Sequence, residues 1–184
     1  MKKLLVVIAL VAILATGTAF ADHPDKFGIG VEGGYGSFWT DFKGPAGGNM
    51  NSAVSLKFKS LPIFWAIGMN IAAGGSGGNA GIGIMVSGDY YFMDMAIVGD
   101  MLHWYFGAGA QVNLGFGIDI TGGTGGIDLD LLARVPVGIS FQFPVSKIVL
   151  EAYMQAVPTI GVKVSPKFRS LVGVGGSFGF RVWF

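Results

Sequence analysis

Large apolar side chains recur at every second position through most of this chain, and that period of two constrains its fold more than any other feature. Over residues 127–141 the pattern has no exception. Ile127, Leu129, Leu131, Ala133, Val135, Val137, Ile139 and Phe141 share one parity, while Asp128, Asp130, Arg134, Gly138, Ser140 and Gln142 share the other. Successive side chains of a β-strand point to opposite faces, so this segment is a strand with one apolar and one polar face. The same reading places strands over 27–39, 54–58, 63–71, 82–92, 102–116, 148–156 and 172–184. That makes eight.

What the apolar faces look at follows from composition. Apolar residues are 52% of the chain and charged ones 12%, about half the charge a soluble domain carries. Beyond residue 21 no apolar run reaches the ~20 residues of a spanning helix; 61–73 comes nearest and is broken by Pro62, Gly68 and Asn70. A chain that faces lipid without such helices must close its backbone hydrogen bonds in a barrel. In a soluble barrel the polar face would meet water. Here that face is mostly glycine and serine, which suits a narrow interior better than a solvated exterior. Trp39, Trp65, Tyr90, Trp104, Phe141, Phe180 and Phe184 fall near strand ends, where the aromatic girdles of outer-membrane barrels sit. The expected fold is therefore all-β: an eight-stranded antiparallel transmembrane up-and-down β-barrel, with eight the smallest number found in bacterial single-chain barrels.

Residues 1–21 read as a cleaved signal peptide that precedes this barrel. Lys2 and Lys3 form a positive start, 4–15 an apolar stretch, and Ala19-Phe20-Ala21 a small-residue cleavage site before Asp22. The apolar stretch is short for a retained anchor. The barrel then occupies 22–184, in the bacterial outer membrane. With both termini periplasmic, the outer loops are 40–52, 73–79, 117–126 and about 157–170. The inner turns lie near Ser60, over 94–100 and over 144–147, and the alternation blurs across 93–101.

The register puts Glu32, Lys57, Lys59, Asp89, His103, Asp128, Asp130, Arg134, Glu151 and Arg181 in the interior. Charges of both signs in a narrow lumen must pair, because an unpaired buried charge costs several kcal/mol. Eight strands leave an interior just wide enough for side chains to fill, so a plugged lumen is expected and a narrow solute channel is the alternative. Lys163, Lys167 and Arg169 form a basic patch on the last outer loop that could meet an acidic extracellular partner.

Other chemistries find little support. There is no cysteine, hence no disulfide or thiolate site. Without the two signal lysines, ten basic residues face eleven acidic ones, which gives no reason to expect nucleic-acid binding. His103 has no serine or acid at its expected depth to complete a catalytic set. Asp128 and Asp130 share a face but lack further ligands for a metal. The Gly-x-Gly stretches are not followed by a helix and so are not phosphate loops. No enzyme, cofactor or metal site is expected.

The C-terminal run Phe178-Gly179-Phe180-Arg181-Val182-Trp183-Phe184 resembles the terminal strand signal of outer-membrane proteins. That resemblance implies that Phe180, Val182 and Phe184 are read by the barrel-assembly machinery. Trp104-Tyr105-Phe106-Gly107-Ala108-Gly109 and Arg134-Val135-Pro136-Val137-Gly138-Ile139 are similar to strands of small bacterial outer-membrane barrels in the OmpA and OmpX size class. The matches span about 100–184. That family often has an acid three residues before the proline closing strand seven; Gln155 stands there, ahead of Pro158. The resemblance implies binding of host proteins through surface loops, as proposed for some members, or a narrow pore, as for others.

Overall fold

The computed structural model describes residues 20–21, 24–41, 45–73, 80–118 and 126–184. Eight long strands follow one another: β1 Gly28–Thr40, β2 Pro45–Lys57, β3 Phe64–Ala73, β4 Ala80–Val98 and β5 Leu102–Ile118. Next comes β6, built from the ladders Ile127–Arg134 and Val137–Val145, then β7 Ile148–Ser165 and β8 Arg169–Trp183. Each pairs antiparallel with its neighbours, and β8 returns to β1, from Trp183 opposite Gly28 to Leu171 opposite Thr40. The sheet is a closed ring. Within the ring each strand has a ladder partner on both sides, the condition for crossing a membrane with strands.

The side-chain parity agrees with the alternation. Val31, Ile71, Ile84, Leu131, Ile160 and Phe178 point outward and are exposed, whereas Ser55, Ser87, Asn113, Ser140 and Arg181 point inward and are buried. At the end bearing the three turns, outward aromatics pack on one another: Phe27 against Phe58, Tyr90 against Phe92, and Phe92 against Phe106. The opposite end carries the loops and is the extracellular one, since turns in such barrels are periplasmic.

Several boundaries differ from the expectation, each for a local reason. The first outer loop is much shorter than 40–52, because β2 starts at Pro45. Its glycines and asparagines continue the ladder, with Asn51 opposite both Gly34 and Asn70. The last outer loop shrinks from 157–170 to 166–168. Pro158 does not end β7; it stands opposite Val174 in the ladder and its carbonyl accepts from the Val135 N–H at 3.0 Å.

The blurred stretch 93–101 is strand on both sides of a turn at 99–101, where Gly99 has φ +52°. Phe92 is an extra residue between the pairs Tyr91–Gly107 and Met93–Phe106. This bulge reverses the parity, so Asp94 points inward and Met93 outward. In β6, Pro136 lacks an N–H and interrupts the ladder, yet the pairing register with β5 and with β7 is the same on either side. One strand, not two, crosses there. The expected outer loop 73–79 lies, apart from Ala73 at the end of β3, outside the described residues. So does the expected signal peptide, except for Phe20–Ala21, whose backbone runs parallel to Met93–Asp94.

Candidate functional site in the barrel interior

The inward face of the turn half is aromatic as well as charged. Arg181 on β8 is its centre. Its Nη1 donates to Glu151 Oε2 at 2.7 Å, and Nη2 and Nε donate to Ser55 Oγ at 2.8 and 3.3 Å. Trp183 Nε1 donates to the same Glu151 oxygen at 2.9 Å. The guanidinium also lies over the rings of Phe64, Tyr153 and Trp183, with 4.6–5.3 Å to the centroids. Tyr91 stacks on Phe64 at 4.2 Å and on Tyr105 at 4.4 Å. Residues of six strands thus gather around one cation, which is 3% exposed, while Glu151 is 2% exposed. Buried ions are tolerated when paired and hydrogen-bonded, and both conditions are met here. The rings add cation–π attraction of roughly 1–2 kcal/mol each where water is excluded.

Glycine makes room for these rings. Tyr91 stands directly opposite Gly107, Tyr105 opposite Gly138, Tyr153 opposite Gly179, and Trp183 opposite Gly28. In every pair the ring leans across the neighbouring glycine. A Cβ there would meet ring atoms at 2.5–2.9 Å, inside any real contact distance. Part of the high glycine content is therefore the complement of the interior aromatics.

Toward the loops the interior becomes polar. Tyr153 Oη donates to Glu32 Oε2 at 2.8 Å, Tyr105 Oη to Gln155 Oε1 at 3.1 Å, and Gln155 Nε2 to Ser177 Oγ at 2.9 Å. Gln155 thus holds two neighbours by neutral bonds. Arg134 Nε lies 3.0 Å from Asp89 Oδ1, and its Nη1 donates to Gln111 Oε1 at 2.9 Å. Gln111 Nε2 passes the chain on to Asn113 Oδ1 at 2.8 Å. Above these bonds lies a half-open cavity of about 40 Å³, walled by Glu32, Phe38, Asn49, Asn51, Arg134, Thr159 and Ser177 among others.

Most of the expected interior residues are where the alternation puts them. Glu32, Lys57, Asp89, His103, Arg134, Glu151 and Arg181 are buried, and Asp128 and Asp130 are half-buried near the loops. Lys59 is a correction. The β2–β3 ladder ends at Lys57 opposite Phe64, and Lys59 sits exposed in the turn that follows. Lys163 is another. It belongs to β7 and points inward, with Nζ 3.0 Å from Asp128 and 3.6 Å from Asp130. The basic patch on the last loop is thereby reduced to Lys167 and Arg169, both exposed, which flank an exposed Phe168.

His103 does have an acid at its depth, since Asp94 is 3.6 Å away. The bulge at Phe92 brings it there, which an unbroken alternation could not show. The interior aromatics Phe64, Tyr91, Tyr105, Tyr153 and Trp183 were not singled out by the sequence reading. The available signal was a ring on the polar parity facing a glycine on the next strand. At the C-terminus Phe180 and Phe184 point outward and are exposed, with Val182 half-exposed beside them.

A closed eight-stranded ring with an apolar, aromatic-flanked exterior and a hydrogen-bonded interior is a small outer-membrane β-barrel, and its place is the bacterial outer membrane. Solved structures of this class are similar to it. Neisserial surface protein A superposes with a TM-score of 0.57 at 17% identity, over 86% of this chain and 97% of that one. The N-terminal β-barrel domain of Pseudomonas aeruginosa OprF gives 0.40 at 14% identity, over 82% and 97%. Ail, the attachment invasion locus protein of Yersinia pestis, gives 0.41 at 11% identity, over 85% and 99%. No family model matches the chain, and no curated protein matches it in sequence.

Proposed function

We propose that this chain is a non-catalytic outer-membrane barrel, structural or engaged in surface interaction, whose lumen is closed to solute flow. The Arg181 cluster carries this reading. Residues from β2, β3, β4, β5, β7 and β8 converge there, and Trp183, Tyr105 and Glu151 are all fully buried. A conducting path would have to separate Arg181 from Glu151 and from three rings. It would also leave two charges uncompensated in a dry interior.

In this reading the contacts with other molecules are external. Lipid covers the apolar belt, and the assembly machinery reads Phe180, Val182 and Phe184. Any extracellular partner meets the loops, where Lys167, Phe168 and Arg169 offer an aromatic side chain between two cations. Planar-bilayer recording of the refolded barrel tests the closed lumen. The expected result is no unitary current above the bare membrane at 100 mV or so. Reproducible conductance steps, with ion selectivity altered by Arg134→Ala, would establish the narrow channel instead.

A further inference from the structure

Among the described residues three interior cations form ion pairs with acids, while the buried Lys57 donates to the Phe58 carbonyl at 2.9 Å instead. Arg181 pairs with Glu151, Arg134 with Asp89, and Lys163 with Asp128 and Asp130. Among the described residues no cation forms an ion pair with Glu32. Its contact is the neutral phenol of Tyr153, at 2.8 Å. Glu32 is 7% exposed and lies on the wall of the loop-side cavity. The one cation on this wall, Arg134, is engaged by Asp89, and a buried carboxylate without an ion pair of its own gains from a counter-charge. Two further atoms near it point the same way. Asn51 Oδ1 and Thr159 Oγ1 belong to the same wall, are buried, and have no hydrogen-bond partner.

We infer that this cavity is a binding site for a small organic cation bearing N–H donors, a primary ammonium group, entering from the extracellular side. The carboxylate of Glu32 supplies the opposing charge, and the Asn51 and Thr159 oxygens accept two of the three ammonium hydrogens. Size agrees. A cavity of about 40 Å³ holds about three waters, enough for an ammonium head and a carbon or two but not for an intact sugar ring. Divalent metals fit poorly, since Ca²⁺ takes six to eight oxygens with several carboxylates, and Glu32 is the one carboxylate on this wall. The site lies on the loop side of the Arg181 cluster, so it stands whether or not the barrel conducts.

The test is an NMR titration of the full barrel refolded in detergent, at fixed sodium chloride, following the side-chain amide signals of Asn51 and Gln111. Ethylammonium is expected to shift them saturably. Ethanol, of the same size and neutral, and tetramethylammonium, charged but without N–H, are expected not to. Glu32→Gln should weaken ethylammonium binding at least tenfold. Gly36→Leu should abolish it by filling the cavity: its Cβ meets the Asn49 amide oxygen at 3.3 Å, a side chain that can give way. Both variants are first checked for the compact band of an unboiled gel. Saturation by tetramethylammonium or ethanol as strong as by ethylammonium would overturn the inference. So would binding unaffected by Glu32→Gln in a folded barrel, or no saturable shift at all, which would mean that the cavity holds water only.

Discussion

Arg181 bonds Glu151 and Ser55 and lies over three rings, and its loss has a calculable direction. Arg181→Ala leaves Glu151 charged, buried and without its cation, a situation that typically costs about 3–5 kcal/mol. The urea midpoint for unfolding of the refolded barrel should fall accordingly. Arg181→Lys should recover only a fraction. A single ammonium cannot reach Glu151 and Ser55 as a fork while lying over three rings. At this scale most of the charged interior was legible, because a charge on the parity of glycines and serines has only one side to face. Lys59 was not, since alternation says nothing about where a ladder stops. The ring-over-glycine pairs were also missed, because they depend on which residues stand opposite each other, and that needs the register between strands.

At the scale of the elements, strand parity was readable wherever it was unbroken, and the misreadings cluster at three local events. Gly47, Gly48, Asn49, Asn51 and Ser52 have the composition of a loop, yet the ring holds them extended in β2. Pro158 looks like a strand breaker, but β7 runs on through it to Ser165. Phe92 shifts the parity by one. Its deletion makes a sharp prediction. With Phe92 deleted, Met93 still pairs with Phe106 and Asp94 with Tyr105, so Asp94 keeps facing inward beside His103. The deleted chain should refold in detergent with a yield of the compact, heat-modifiable band close to the parent's. Phe92→Ala, which keeps the extra residue, should refold nearly as well as the parent. A much lower yield for the deletion alone would show that the kink of the bulge, and not only the parity it sets, is needed for closure.

For the whole molecule, the closed ring was expected from the need to satisfy every backbone group in lipid, and the number of strands from counting alternating segments. The state of the lumen was not legible. Alternation says which side chains point inward but not whether they meet. The structure supplies the meeting point, and it lies on the last strand. A chain ending at Pro166, without β8, would lack Arg181 and Trp183 and would leave the β1 and β7 edges unpaired. It is expected to give no heat-modifiable band at any detergent-to-protein ratio, whereas an intact chain gives one. A compact band from the shortened chain would mean that seven strands can close by themselves.

The closing seam between β8 and β1 also sets an order of events. Its partners are the first and last of the eight strands of the ring, the most distant pairing among them, and such long loops close slowly. The residues that bind the interior together, Arg181 and Trp183, arrive on the last of these eight strands to be synthesised. Until it is present, Glu151, Ser55 and the rings have nothing to gather around. Sealing the wall and setting the interior therefore coincide, and a half-built barrel has little to hold it in a wrong shape.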